Sequence, residues 1–132
     1  MNKIPGIITE IKVEGNISLL SIHSGEIKFT SIVLEVPETS AYLKVGNPIN
    51  ILFKETEVII GKGDVKFISL RNKIDCVVDS IEQGKLLCKL FLSSELGEIR
   101  SIITSNAVNQ LQINVGDRVV AMIKTNEIIL SE

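Results

Sequence analysis

The sequence predicts an all-β protein: two tandem five-stranded antiparallel barrels of the oligonucleotide/oligosaccharide-binding (OB) type, each with one short helix. Two observations carry that prediction. The chain repeats itself, and each repeat is a series of β-branched runs separated by turn residues. Shifted by 70 residues against itself, the chain brings Asn2 onto Asn72, Lys3 onto Lys73, Ile4 onto Ile74, Ile11 onto Ile81, Ser31 onto Ser101 and Ile32 onto Ile102. The register continues through Val45-Gly46 and Val115-Gly116, Lys54 and Lys124, Glu57 and Glu127, and Ile59 and Ile129. It slips only between Gly15 and Gly84 and in the loop before Ser101, and slips confined to loops are what a duplicated unit tolerates. The expected domains are therefore 1–62 and 63–132, joined through Gly61-Lys62-Gly63-Asp64.

Within the second repeat, 75–82 is a β-branched run, Gln83-Gly84-Lys85 a turn, 86–92 a second strand and 99–104 a third after a polar loop. Ser105 then offers an N-cap for a helical turn through Leu111. The turn residues Asn114-Val115-Gly116-Asp117 lead into strands at 118–124 and 127–130. The first repeat follows the same order, with Pro37 where a helix start accepts proline and Gly46-Asn47-Pro48 as the matching turn. Leu86-Leu87-Cys88-Lys89-Leu90-Phe91-Leu92 carries large apolar side chains at both parities, and so do Ala121-Met122-Ile123 and Ile128-Ile129-Leu130. Such strands have no face suited to water, so burial of barrel on barrel or chain on chain, in a homo-oligomer, is expected.

Composition removes several function classes. With 45% hydrophobic and 23% charged residues the chain is not disordered, and a net charge of −2 leaves no polybasic arm. No apolar run approaches the roughly 20 residues of a membrane span. The opening Met1-Asn2-Lys3-Ile4-Pro5-Gly6 is no secretory leader, and a cytoplasmic protein without a membrane partner is expected. Cys76 and Cys88 are too few for a disulfide scaffold and wrongly spaced for zinc; they read as buried free thiols, with no metal bound directly by the protein. His23, beside a Ser24-Gly25 turn, reads as a surface residue. No nucleophile-base arrangement, repeated carboxylate pair or phosphate-binding glycine loop is present, which argues against an enzyme. Binders of single-stranded nucleic acid combine a positive groove with stacking aromatics. Here only Phe29, Phe53, Phe67, Phe91 and Tyr42 are available, and most read as core, which argues against nucleic acid as a partner.

What remains is a polar cluster in the second repeat: Ser69-Leu70-Arg71-Asn72, Thr104-Ser105-Asn106-Ala107 and Lys124-Thr125-Asn126. Cationic heads balance the charge of a small tetrahedral oxyanion, while hydroxyls and backbone N–H groups aim donors at it. Each element alone is also ordinary cap or turn chemistry.

Ser69-x-Arg71-Asn72, then Ile103-Thr104 with Ala107, then Leu111-x-Ile113-x-x-Gly116-x-x-Val119-x-Ala121-x-Ile123-Lys124 and Ile128-Ile129-Leu130, closely resembles the Mop domain, the molybdate-binding module of the TOBE group. Such domains occur as tandem pairs in molybdate storage proteins and in the C-terminal half of the molybdate-responsive transcription regulator. The resemblance implies binding of molybdate or tungstate, without a cofactor, at domain or subunit interfaces of a dimer or trimer. The implied role is storage, buffering or delivery for molybdenum cofactor synthesis. It further implies that Ser69 and Arg71 donate to the anion, Lys124 is the counter-charge and Thr125 adds backbone N–H. Thr104 and the Ala107 backbone face the anion from a neighbouring domain, and Asn72 orients the segment that opens the repeat. The first repeat departs from this pattern: it has no Ser-x-Arg, Leu34 replaces Thr104 and Glu55 replaces Thr125, leaving Lys54 as its weaker candidate. A carboxylate repels a dianion and leucine donates nothing, so this half is expected to act as scaffold. The rival readings are an anion-sensing module that acts on a protein partner and, further behind, a nucleic-acid-binding barrel pair.

Overall fold

The period-2 alternation of Asn2, Ile4, Gly6 and Ile8 sets the first strand, and Asn72, Ile74, Cys76 and Val78 set its repeat-mate. In the computed structural model, which describes residues 1–132, the first repeat forms β1 (Asn2–Glu14), β2 (Ile17–Ser24), β3 (Ile27–Val33), β4 (Pro48–Phe53) and β5 (Ile59–Gly61). The second forms β6 (Asn72–Gln83), β7 (Leu87–Ser94), β8 (Gly97–Thr104), α1 (Ser105–Gln110), β9 (Arg118–Ile123) and β10 (Ile129–Ser131). Short 3-10 turns, Glu55–Glu57 and Thr125–Glu127, precede β5 and β10.

All pairings are antiparallel, in two five-stranded sheets, and the short last strands cross over. β5 pairs with β9, Ile60 opposite Ala121, and β10 pairs with β4, Leu130 opposite Ile51. Each sheet thus takes its fifth strand from the other repeat, and the buried apolar side chains of both repeats merge into a single core.

The repeat symmetry reaches into irregular geometry. A bulge interrupts β1 between Ile8 and Glu10, and another interrupts β6 between Val78 and Ser80. Each bulge clasps a glycine turn: Gly46 donates to the Ile8 carbonyl at 2.8 Å, and Gly116 donates to that of Val78 at 2.8 Å. Both glycines have φ near +90° (93° and 92°), which a side chain would resist.

Two expectations are corrected in detail. The helix starts one residue earlier than Ser105 suggested: Thr104 is the N-cap, its hydroxyl accepting from the Ala107 N–H at 3.0 Å. Ser105 is buried instead, its hydroxyl donating to the Gly84 carbonyl at 2.8 Å. The first repeat has no α-helix. After Pro37 it makes one turn, with Ser40 and Thr39 N–H both donating to the Val36 carbonyl, and the loop is then tied by the Glu35 carboxylate. Ser40 donates to that carboxylate at 2.7 Å and Tyr42 at 2.5 Å. Side-chain anchoring there does the work that helical hydrogen bonds do in the second repeat.

Adjacent Met122 and Ile123 are both buried, as their strand demanded, but in the 86–92 run only Cys88, Leu90 and Leu92, all of one parity, are buried, while Leu86, Leu87 and Ile129 are exposed; both cysteines are free and buried. Burial pushes the Cys76 thiol up to about 11, keeping it neutral. On the outer face of β2 and β3, however, Ile17, Leu19, Ile32 and Leu34 stay exposed, with Leu19 directly opposite Ile32. His23 is half-buried, its Nδ1 2.8 Å from the Thr9 hydroxyl.

Candidate oxyanion site

The strand exchange places two similar ends on the molecule. At each, the residue before a long strand lies beside a lysine that opens a 3-10 turn, and this pair packs on the third strand of the other repeat. Asn72 pairs with Ile123, so Arg71 and Lys124 come next in register; Asn2 pairs with Phe53, so Met1 and Lys54 do likewise. The turn at Thr125–Glu127 contacts β3, and the turn at Glu55–Glu57 contacts β8.

Two asparagines rivet these junctions. Asn72 is fully buried; its amide donates to the Thr30 carbonyl at 2.9 Å and the Ile123 carbonyl at 3.0 Å, and its oxygen accepts from the Thr30 N–H at 2.7 Å. Asn2 makes the matching pair with Arg100, donating at 2.9 Å and accepting at 2.9 Å. The identity of Asn2 with Asn72 in the sequence was the available signal for this role. Satisfied on both sides of its amide, Asn72 holds backbone in place.

At the second-repeat end Arg71 is exposed and folds back on its own segment, donating through Nη2 to the Ile68 carbonyl at 2.6 Å and through Nε to the Ser69 carbonyl at 3.3 Å. Ser69 is exposed, Lys124 is exposed in extended backbone, and Thr125 is half-buried. Neither Arg71 nor Lys124 is ion-paired.

Thr104 and Ala107 do not join this group. They lie at the end of β8, on the side that carries the first repeat's Glu55 turn. A cavity of about 260 Å³ is lined there by Met1, Lys54, Glu55, Thr56 and Ile102. Within one chain, then, Ser69, Arg71, Asn72, Lys124 and Thr125 gather at one end, and Thr104, Ala107 and Lys54 at the other.

The electrostatics of the two ends differ. The Glu55 carboxylate lies 3.3 Å from the Lys89 ammonium and 3.5 Å from the Met1 amino group. Burial raises its pKa, but hydrogen bonds and charges from Lys89 and the amino terminus outweigh this and hold it below the ordinary carboxylate value. Lys89 was not among the residues singled out from the sequence. It stands in an apolar strand where the first repeat has Leu19, and only the fold aims it across the junction.

Residues 68–130 match the TOBE domain family. The second repeat is a TOBE domain. No curated protein sequence matches the chain. Among solved structures, the cytoplasmic molybdate-binding protein ModG, in a form with molybdate bound, is 26% identical and superposes with a TM-score of 0.90 over 98% of this chain and 94% of its own. A molybdate-binding protein from Sporomusa ovata is 31% identical, with a TM-score of 0.48, over 49% of this chain and 97% of its own. The two-repeat fold is thus shared with ModG over nearly the whole chain. No helix is long and apolar enough to cross a membrane.

Proposed function

We propose that this protein binds molybdate or tungstate in the cytoplasm, in a homo-oligomer, and stores, buffers or delivers the anion for molybdenum cofactor synthesis without catalysing a reaction. The observation that carries the reading is the pair Arg71 and Lys124, adjacent in register and free of carboxylate partners, beside Ser69 and Thr125. The likeness to a molybdate-binding protein along almost the whole chain supports it. A dianion attracts both cations, and charge-assisted hydrogen bonds to it are stronger than those Arg71 makes to neutral carbonyls. Because molybdate at neutral pH has no proton to donate, a site made of donors leaves the hydroxyl of hydrogen phosphate unmatched.

In this reading 63–132 is the donor half and 1–62 the scaffold half. Thr104 and Ala107 lie at the far end from Arg71, so they reach the same anion only from a second copy of the chain. The exposed Ile17, Leu19, Ile32 and Leu34 beside the TOBE end give such a copy an apolar surface to cover. Titration calorimetry of desalted protein with molybdate, tungstate, sulfate and phosphate, paired with native mass spectrometry, tests this. Micromolar or tighter molybdate binding to a dimer or trimer is expected. A folded protein that takes up no molybdate would refute it, and an oligomer that changes its assembly on binding would instead favour sensing.

A further inference from the structure

Glu55 occupies the position that Thr125 holds at the TOBE end. It is only 16% exposed and sits between the Lys89 ammonium and the Met1 amino group, with Lys54 lining the same cavity. A carboxylate held by converging cations has the charge sign and the partners of a bound oxyanion. The cations are not there to neutralise anything else: Lys89 has no second acidic partner, and Lys54 has none.

We propose that Glu55 is a tethered anion that closes the first-repeat end, and that this end becomes an oxyanion site once the carboxylate is removed. The inference rests on the reading that these ends suit oxyanions, and it makes the number of sites per chain a property of one side chain. A covalently attached carboxylate is present at high effective concentration, so free dianions compete poorly with it and are repelled by it as well.

The test compares the parent protein with Glu55→Thr, which installs the TOBE-end residue, and Glu55→Gln, which keeps the shape without the charge. Native mass spectrometry counts bound molybdate per chain, and calorimetry follows molybdate and sulfate. Expected for both variants are a further anion per chain and sulfate binding tightened by about tenfold or more, since like-charge juxtaposition is strongly unfavourable. The gain should vanish when Lys89→Ala is added. Unchanged stoichiometry and sulfate affinity in either folded variant overturn the proposal, and so does a gain that survives Lys89→Ala. Absence of molybdate binding in the parent would overturn the proposed function instead. It would leave this comparison intact, because the comparison reads the difference in sulfate binding between parent and variant.

Discussion

The two ends share a backbone and differ in charge. Lys54 and Lys124 open their 3-10 turns with nearly the same dihedrals (φ −71°, ψ 146° and φ −69°, ψ 146°), and Asn2 and Asn72 rivet both junctions by the same amide bonds. Yet one end presents Arg71 and Lys124 without an ion pair, and the other encloses Glu55 between cations. After duplication a framework can stay fixed while a few side chains decide whether it is open to an anion, because the hydrogen bonds that hold it are made by backbone and by one asparagine per repeat.

The largest effect should fall on that asymmetry. Arg71→Ala or Lys124→Ala is expected to weaken molybdate binding by about a hundredfold, the loss of one strong charge-assisted contact, with a melting temperature close to the parent's. Lys54→Ala should change affinity by less than about threefold, because its end is already occupied by Glu55. Equal losses at both ends, read by calorimetry, would erase the distinction.

The shared rivets should differ in stability cost by burial. Asn72→Ala leaves the Thr30 N–H, the Thr30 carbonyl and the Ile123 carbonyl short of partners in a fully buried setting, which should cost about 2–4 kcal/mol in urea unfolding. Asn2→Ala strands the N–H and carbonyl of Arg100 at a more open strand, and about 1–2 kcal/mol is expected. A larger loss from Asn2→Ala would mean that the junctions are not equivalent.

Acid should separate the repeats by another route. The hydroxyls of Tyr42 and Ser40 hold the Glu35 carboxyl below its ordinary value, and burial of the ring, together with the same carboxylate, raises the Tyr42 pKa. A carboxyl lowered in the folded state stabilises it above the unfolded pKa, and that contribution is lost as pH falls through the lower folded value. The loop over 36–47 should therefore lose amide-exchange protection on acidification before α1 does, and Glu35→Gln should remove the difference. Simultaneous loss in both repeats would show that the carboxylate does not hold the loop.

Much of this was readable in the sequence, for physical reasons that also mark where reading stops. The repeat, the strands, the glycine turns and the TOBE motif are written in local pattern, since side-chain alternation and positive-φ positions depend on neighbours in the chain. The strand exchange is not, because Val58-Ile59-Ile60 and Ile128-Ile129-Leu130 are so alike that either could complete either sheet. The division of the donor set follows from that exchange: Thr104 and Arg71 belong to one motif, but β8 faces the Glu55 turn and β3 the Thr125 turn. The role of Lys89 is set by the same exchange, since its strand alone reads as apolar.

The smallest effect concerns the helix that only the TOBE repeat possesses. α1 ends with Gln112 at φ 52°, while the Gln112 N–H donates to the Asn109 carbonyl and the Ile113 N–H to that of Val108. These two bonds form a Schellman motif, whose left-handed position favours glycine because any Cβ there meets the backbone. The Gln112 carbonyl accepts from the Lys62 ammonium at 2.6 Å, and the same ammonium pairs with Asp117 at 3.0 Å. Those anchors use the backbone at 112 and the side chains at 62 and 117, so Gln112→Gly keeps them and relieves only the dihedral strain. A gain of about 0.5–1 kcal/mol in urea unfolding is expected, with molybdate affinity unchanged. A loss of stability would mean that the glutamine side chain itself holds the helix end. The helix would then depend on side-chain anchoring, as the Glu35 loop of the first repeat does.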